Sequence, residues 1–562
     1  MTIKTTRNIR RLSQIVFFVV FVWLILKTTF EVDFHVSGPE GISLPYPVSI
    51  ALQFDPLVAL STLLATGSLY KGLLWSLVVL IPTIFMGRLF CGWVCPLGTL
   101  NHWASEIKSE RIGRKGAGKI ASNRYHKYQR IKYYVLLVFL AASIAGVLQI
   151  GLLDPLPLLA RSLGTAVLPM AQTGVEGFAG WLKSFGAPPL VAVGDAIQSV
   201  AEHSFLPYRR AFFHGVIPIA LMFVLILILN RWFTRFWCRG ICPLGALLGI
   251  FSRYAIFGLQ KSQTACDQCN LCLLHCQGAD NPNVGDRWRQ SECHLCLNCQ
   301  AACPQGALSF KFFPEHETSK GNPAPTQKVD ITKRKAVASV VGGLALFATL
   351  RSGDAFAVNA NPKLIRPPGS TDEDDFLARC IRCGQCMRVC PNNALHPTLL
   401  EAGAEGIWTP ILITKIGYCE PTCTLCGQVC PTGAILELTT HQKIGDKETP
   451  PVRIGTAFVD HNRCLPWAYS TPCIVCEEWC PTSPKAIYLR EETVYDRKGN
   501  ARTVKRPYID PEHCTGCGAC EYACPVNDQR AIYISSVGES RSQHNQMLLE
   551  RSKDERKKPV IP

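Results

Sequence analysis

The chain has 562 residues, of which 48% are hydrophobic and only 18% are charged, and its length predicts about three or four domains. The formal net charge of +16 is not accompanied by aromatic residues interleaved with Lys and Arg, which excludes a nucleic-acid groove. Much of the basic surplus lies beside apolar segments, as in the cytoplasmic flanks of membrane helices.

Residues 1–260 are predicted to form an all-α membrane domain of four helices. The basic stretch Met1–Gln14 precedes the apolar run Ile15–Leu26, and no A-x-A cleavage site follows it, so an uncleaved anchor is favoured over a secretory signal. Further spans are predicted at Leu73–Phe90, Tyr133–Leu153 and Phe212–Asn230. The loop between the second and third spans is rich in Lys and Arg, which places this loop and the N-terminus on the cytoplasmic side.

The predicted membrane domain contains an internal repeat. In the first half Asp55-Pro56 is followed by Arg88-Leu-Phe-Cys91-Gly-Trp-Val-Cys95-Pro, and in the second half Asp154-Pro155 is followed by Arg235-Phe-Trp-Cys238-Arg-Gly-Ile-Cys242-Pro. The i, i+4 spacing puts each cysteine pair on one helix face. The pattern leaves several roles open for Cys91, Cys95, Cys238 and Cys242: a seventh metal cluster, free thiols, a redox disulfide, or packing at a helix end.

The other cysteines among the 28 form six sets with the spacing of bacterial ferredoxins or a close variant of it. Three cysteines at i, i+3 and i+6 surround one cluster, and a fourth, usually followed by Pro, ligates the other cluster of a pair. Zinc ribbons use two separated C-x-x-C pairs instead. The sequence therefore predicts six [4Fe–4S] clusters, held by Cys266, Cys269, Cys272 and Cys276; Cys293, Cys296, Cys299 and Cys303; Cys380, Cys383, Cys386 and Cys390; Cys419, Cys423, Cys426 and Cys430; Cys464, Cys473, Cys476 and Cys480; and Cys514, Cys517, Cys520 and Cys524.

The first two sets are predicted to exchange their fourth ligands within a cytoplasmic two-cluster domain at 261–312. The other four sets lie in 361–540, a four-cluster α+β domain of the bacterial ferredoxin type. Both a sequential and a nested pairing of these four sets are possible, and the nested one is favoured because only the two middle sets have altered gaps. Residues 313–360 are a linker with a predicted fifth crossing at Ala336–Leu350, for which a surface helix and an embedded export signal are the alternatives. Residues 541–562 form a charged tail.

The cysteine pairs followed by Pro-Leu-Gly, together with Cys266–Cys303, resemble the membrane polyferredoxin of periplasmic nitrate reductase systems, the NapH type. The segment from Lys333-Arg334 to Cys524, with Arg379-Cys-Ile-Arg-Cys-Gly-Gln-Cys386 and the long gap between Cys464 and Cys473, resembles its four-cluster periplasmic partner, the NapG type. The chain thus looks like a fusion of the two. The resemblance implies quinol oxidation and electron delivery to a periplasmic acceptor, without identifying that acceptor, because these modules are widely reused.

The favoured function is a quinol-linked electron relay in a bacterial inner membrane, in which the chain spans the bilayer several times and 361–540 is periplasmic. Its expected partners are the lipid bilayer, the quinone pool, and another redox subunit or a periplasmic cytochrome or reductase. Protonatable candidates for the quinol site are Asp55, Asp154 and His214, since acids near a membrane are functional candidates by default. The alternatives are a maturation or regulatory reductase for another metalloenzyme, and a ferredoxin-linked relay with every cluster in the cytoplasm.

Overall fold

The structure is a computed structural model. It describes residues 3–28, 44, 46–106, 116–204, 211–262, 265–314, 329, 331–351, 361–446, 449–495, 501–542 and 545. Nearly all of the predicted tail 541–562, half of the linker at 313–360 and part of the basic loop after the second predicted span lie outside these ranges.

The N-terminal half is helical throughout its described part. Its α-helices are α1 (Ile3–Lys27), α2 (Ser49–Gln53), α3 (Pro56–Thr66), α4 (Leu77–Met86), α5 (Leu89–Trp93), α6 (Pro96–Glu106), α7 (Ala117–Ser122), α8 (Ile131–Ile144), α9 (Pro155–Arg161), α10 (Leu168–Ser184), α11 (Pro188–Ser204), α12 (Ile217–Leu229), α13 (Phe236–Gly240) and α14 (Pro243–Ser252). Short 3-10 turns at Lys71–Ser76, Lys127–Arg130 and Ile150–Leu152, and a π-helical turn at Ser162–Val167, lie between them.

The internal repeat of the sequence is visible as a repeat of helices. Helices α3 and α9 both begin with Pro at the first position, directly after Asp55 and Asp154, because Pro lacks the N–H that a first turn leaves unpaired. The five-residue helices α5 and α13 carry Cys91 and Cys238. Each is followed by a longer helix, α6 or α14, that begins at the Pro after Cys95 or Cys242.

The helices of the second, third and fourth predicted spans, α4, α8 and α12, are shorter than the sequence suggested, whereas α1 is longer than the predicted first span. Helix α8 ends at Ile144 because Gly146 adopts a left-handed φ of 87° and the Val147 N–H returns to the Ala142 carbonyl, a common helix-ending arrangement. In the described part of the chain one helix, Thr5–Lys27, is long and apolar enough to cross a membrane, a property that membrane spans and signal sequences share. The four-span arrangement remains a prediction.

The cysteine-rich parts combine short helices with two-stranded sheets. The helices are α15 (Leu271–Leu274), α16 (Asn298–Ala302), α18 (Glu373–Arg379), α19 (Gln385–Arg388), α20 (Leu425–Gln428), α21 (Thr440–Ile444), α22 (Leu465–Ala468), α23 (Val475–Glu478) and α24 (Ala519–Ala523), and α17 (Lys333–Arg351) precedes α18 in the chain. The strands are β1 (Phe257–Lys261), β2 (Leu308–Phe312), β3 (Leu395–Pro397), β4 (Pro410–Leu412), β5 (Thr456–Val459), β6 (Ile487–Tyr495), β7 (Ala501–Ile509) and β8 (Ile532–Ser535). They pair antiparallel as β1 with β2, β3 with β4, β5 with β8, and β6 with β7.

Two of the four strand pairs bracket cysteine sets along the chain. In the pair β1–β2, which brackets the first two sets, Leu259 lies opposite Phe310. In the pair β5–β8, which brackets the last two, Ala457 lies opposite Ile534. This combination of cysteine loops, short helices and antiparallel strand pairs is an α+β arrangement, and it sets the cysteine-rich parts apart from the all-helical N-terminal half.

The third cysteine set packs directly on the helical half. Ile381 and Cys383 belong to the same buried apolar core as residues of α3, α9 and α14. A Cβ at Gly151 would overlap the Ile381 carbonyl, so the backbones are in close contact there. Arg161 of α9 donates to the Arg382 carbonyl at 2.8 Å, and Arg388 donates to the Ile25 carbonyl of α1 at 3.0 Å. These contacts place one ferredoxin loop against the helix ends that carry Asp55 and Asp154.

Candidate functional site

The cysteine loops have a backbone suited to an anionic cluster. In four of the six sets the second and fourth residues after the first cysteine have positive φ, between 49° and 85°, at Gln268 and Asn270, Leu295 and Leu297, Arg382 and Gly384, and Gly516 and Gly518. Alternating right- and left-handed residues turn successive N–H groups towards one concave side, where an anion is stabilised. The two sets with altered gaps, which begin at Cys419 and Cys464, lack this alternation.

The first two sets exchange their fourth cysteines, as predicted from spacing. One pocket is lined by Cys266, Cys269, Cys272 and Cys303. At the other site Cys276 lies close enough to Cys296 to interact with it electrostatically. Burial raises the pKa of Cys276, and the charges of Asp280 and Cys296 raise that pKa further. Each site therefore combines three cysteines of one set with the last cysteine of the other.

The remaining four sets pair sequentially. One pocket is lined by Cys380, Cys383 and Cys386 with Cys430, the last cysteine of the following set. Around the reciprocal site, burial raises the pKa of Cys426, and the thiols of Cys423, Cys419 and Cys390 raise it further.

The fifth and sixth sets do the same. Cys464, Cys473 and Cys476 share a pocket with Cys524, and Cys520 interacts with Cys514, Cys517 and Cys480. The nested pairing favoured from the altered gaps is therefore wrong. Altered gaps change the loop within a site, for example by inserting α22 between Cys464 and Cys473, but do not change which set folds against which.

The two cluster pairs of 361–540 adjoin through one strong backbone contact. The Cys419 N–H donates to the Cys517 carbonyl at 2.8 Å, and the Cys517 thiol also interacts electrostatically with Cys419. The four sites therefore form a row in the order third, fourth, sixth and fifth set. The third set, at one end of this row, is the one that packs on the helical half.

Among the described residues, no three His, Cys, Asp or Glu side chains converge closely enough to hold a single metal ion. Four thiols line each of three pockets, which is the number of thiolates that one [4Fe–4S] cluster takes.

A buried lysine contacts the fourth-set site. The Lys443 ammonium donates to the Cys419 sulfur at 3.2 Å, and to the carbonyls of Glu420 and Cys423 at 2.6 Å each. Burial lowers the pKa of Lys443, but the thiols of Cys419, Cys423 and Cys426 outweigh that and raise it above its ordinary value. Helix α21 holds the lysine through a capping box between Thr439 and Gln442.

The four cysteines outside the six sets are brought together. Cys238 interacts electrostatically with Cys91, and Cys242 interacts with Cys238, Cys91 and Cys95. Cys95, Cys238 and Cys242 are buried, and Cys91 is partly buried. The two repeat halves therefore build one four-thiol group.

Asp55 and Asp154 are also brought together, although the sequence offered them only as separate candidates. Both are fully buried, and their carboxyls lie close enough to interact electrostatically. Both residues lie outside the four predicted spans. Burial raises the pKa of both carboxyls, and the charge of Asp55 raises the pKa of Asp154 further. Two carboxylates this close cannot both ionise readily, so one shared proton stabilises the pair.

The carboxyl pair has unequal partners. Asp55 Oδ1 accepts from the N–H groups of Leu57 at 2.9 Å and Val58 at 3.4 Å, as a helix cap does. In contrast, no donor among the described residues hydrogen-bonds to Asp55 Oδ2 or to either Asp154 oxygen.

Further buried polar atoms lie unpaired where the helical half meets the third set. They are Arg161 Nε, Ser162 Oγ, Gln385 Oε1, Arg388 Nη2 and Trp408 Nε1. Buried polar groups are normally hydrogen-bonded, so this boundary has unused capacity for a polar ligand or for water.

His214 lies elsewhere. Its backbone N–H donates to His396 Nδ1 at 3.2 Å, and the two rings are 6.3 Å apart. Within the described residues no recorded contact joins His214 to Asp55 or Asp154. The structure thus unites two of the three quinol candidates and separates the third.

Sequence reasoning missed the buried cations around the thiols. Arg88 and Arg235 each stand three residues before the first cysteine of a repeat, a regularity that was available but was not interpreted. Lys443 could not have been found in this way, because it is 13 residues beyond Cys430 and reaches Cys419 only through the fold.

Two family models match parts of the chain that contain the four-thiol group and the last four cysteine sets. A 4Fe-4S binding domain model matches residues 69–115, 213–261 and 426–447. A 4Fe-4S dicluster domain model matches 379–434 and 441–527, and each of these two matches contains one of the sequential pairs of cysteine sets.

Each of three curated relatives matches a little over a third of the chain. The methylamine utilization ferredoxin-type protein MauM of Methylorubrum extorquens is 36% identical over 220 residues, which are 38% of this chain and 89% of the relative. The ferredoxin-type protein NapG of Escherichia coli is 33% identical over 207 residues, 35% of this chain and 81% of the relative. MauM of Paracoccus denitrificans is 32% identical, over 35% of this chain and 85% of its own length. No solved structure matches the chain.

Proposed function

Because the chain belongs to the family of NapG- and MauM-type ferredoxin proteins, with several [4Fe–4S] sites, we propose that it is the membrane-bound electron relay of a quinol-oxidising system. Six clusters are held by the 24 cysteines of the six sets. Electrons enter at the helical half and leave from 361–540 to a periplasmic redox protein. Helix α1 anchors the chain in a bacterial inner membrane, and the shorter apolar helices complete a multi-pass domain.

The observation that carries this proposal is the position of the Asp55–Asp154 pair. The Asp-Pro turns of the two repeat halves meet in the same apolar core that receives Ile381 and Cys383 of the third set. A proton acceptor and an electron acceptor are therefore neighbours, which is what quinol oxidation requires.

The chemistry balances with these groups. Oxidation of one quinol releases two electrons and two protons and leaves a quinone. The carboxyl pair accepts the first proton at an Asp154 oxygen that lacks a donor, and both protons leave on the outer side. The electrons pass singly to the third-set site, and from there along the row of sites to the periplasmic oxidant.

Buried cations at the same boundary orient the substrate. Arg161 and Arg388 are fully or nearly fully buried, and each retains a guanidinium nitrogen without a partner. A quinol oxygen has lone pairs that can accept a hydrogen bond from such a nitrogen. The π-helical turn at Ser162–Val167 lies directly after Arg161, and such turns are frequent at functional sites.

The test is quinol-driven reduction of the anaerobically purified full chain in detergent. A short-chain quinol should bleach the visible iron–sulfur absorbance, and Asp154→Asn should slow that bleaching by about 100-fold or more, the usual scale for losing a proton-transfer group. The matched control is Asp195→Asn, because Asp195 is a largely exposed acid on α11 that pairs with Lys183; it should bleach at the unmodified rate.

Dithionite distinguishes a lost quinol site from lost clusters. If dithionite bleaches the variant and the unmodified chain equally, the clusters are intact. Absence of quinol bleaching in the unmodified chain would refute the proposal and favour the maturation or regulatory function. Protection of 361–540 from protease added outside intact cells would favour the cytoplasmic relay instead.

A further inference from the structure

The four-thiol group of the repeat halves is surrounded by positive charge. Arg88 and Arg235 are both fully buried, and each reaches across to the other half. Arg235 donates to the Cys91 carbonyl at 2.9 Å. The Arg88 guanidinium lies against Gly245 at the beginning of α14 and donates to the Cys91 sulfur at 3.8 Å.

Two helix N-termini face the same group. The Cys95 sulfur accepts from the Gly98 N–H at 3.4 Å, and the Cys242 sulfur accepts from the Gly245 N–H at 3.2 Å. These glycines lie in the first turns of α6 and α14, which are 11 and 10 residues long. The positive ends of two helices therefore add to the two guanidiniums in favouring an anion.

One of the two arginines is not neutralised by any acid that the structure describes. Arg88 has Glu292 at 3.9 Å, although Glu292 also pairs with Lys132. Arg235 has no recorded salt bridge, and its Nε and Nη2 atoms are buried without a hydrogen-bond partner in the described part of the chain. Its backbone has a left-handed φ of 53°, a conformation that costs energy in a residue other than Gly.

Neutral thiols or a disulfide would leave this charge uncompensated. A buried unpaired guanidinium is strongly destabilising, so the arrangement calls for a net negative occupant. Four thiolates around iron and sulfide form such an anion, and its sulfur atoms accept the hydrogen bonds that the arginines and helix ends offer.

From these contacts we infer that Cys91, Cys95, Cys238 and Cys242 hold one further iron–sulfur cluster, neutralised by Arg88 and Arg235. This site does not depend on the quinol site. It adjoins the second-set site, because Trp93 donates to the Leu295 carbonyl at 2.9 Å and Gly92 contacts the His294 carbonyl. It also borders the apolar core that contains Cys383. The cluster would therefore carry electrons between the two-cluster domain and the core of the helical half.

Iron analysis tests the inference directly. The double variant Cys91→Ser/Cys238→Ser, purified anaerobically as the full chain, should lose about two or four iron atoms with a matching amount of sulfide. Cys269→Ser is the reference for loss of one cluster, because Cys269 is an exposed cysteine of the first set. Low-temperature spectra of the double variant should keep the signals of the other clusters.

A second measurement needs no variant. In the native, oxygen-free chain, a thiol-alkylating reagent should leave all four cysteines unmodified until iron is chelated, after which mass spectrometry should find them labelled. Labelling without iron release, a disulfide between the two pairs, or a double variant with unchanged iron content would overturn the inference. So would one zinc per chain that disappears in the double variant.

Discussion

The Lys443 contact predicts a change in a single reduction potential. Replacing Lys443 with Met removes a positive charge that lies 3.2 Å from the Cys419 sulfur. An electron added to the fourth-set cluster is attracted by that charge, so its removal should lower the potential of this cluster. Methionine has a similar length and keeps the space filled.

The size of the shift follows from Coulomb's law. With about 6 Å from the ammonium to the centre of the cluster and an effective dielectric constant of about 20, the interaction is about 3 kcal/mol. For a one-electron couple this corresponds to about 120 mV. Water in the space vacated by the ammonium would screen part of the change, so a decrease of roughly 50 to 120 mV is expected.

A potentiometric titration followed by low-temperature electron paramagnetic resonance measures this. Lys443→Arg keeps the charge and should shift the potential by less than half as much. Lys505→Met removes an exposed lysine on β7 that pairs weakly with Glu491 at 3.6 Å, and should change nothing. A Lys443→Met chain with all its iron and an unchanged set of potentials would refute the argument.

Three other expectations follow from the packing. Burial raises the pKa of Glu373, but Arg366 and Arg541 outweigh burial and hold this pKa below its ordinary value of 4.5. The resulting stabilisation is therefore complete above that pH and is lost as the pH falls through the lower pKa of the folded state. Glu373→Gln should lower the free energy of unfolding by about 3 kcal/mol at pH 7, and this difference between variant and unmodified chain, measured by thermal unfolding, should shrink in acid. Gly151→Ala should separate the helical half from the Ile381 loop and slow quinol reduction of the outer clusters. Gly174→Ala should not slow it, because the space around Gly174 is open. Equal rates for the two variants would contradict the packing of the third set on the helical half. Iron chelators should remove the first-set cluster before the others, because Cys269 is exposed and its equivalents are buried or partly buried, and loss of all clusters at one rate would argue against that order.

The two ends of the row of sites have different surroundings. The third-set site packs on the helical half, whereas the fifth-set pocket is lined by Pro466, Pro507 and Pro525 together with its cysteines and lies at the other end of the row. An external redox partner would therefore meet the fifth-set end, because the helical half covers the third-set end.

The grouping of the cysteines into loops was predictable from the sequence because it is a local property. Cysteines at i, i+3 and i+6 must share one loop whatever the rest of the chain does, and the alternating positive φ values at Gln268 and Asn270 show how such a loop closes. The repeat was readable for the same reason, since Asp-Pro and Cys-Pro mark helix starts through the chemistry of one turn.

Which loop receives each fourth cysteine was decided only by the tertiary structure. Cys430 joins the third set and Cys524 the fifth because neighbouring sets fold against each other, and gap lengths within a set carry no information about that packing. The meeting of Asp55 with Asp154, and of Lys443 with Cys419, likewise depends on contacts between segments distant in the chain. Spacing determines a loop, but burial of one apolar surface against another determines which charges and ligands share a site.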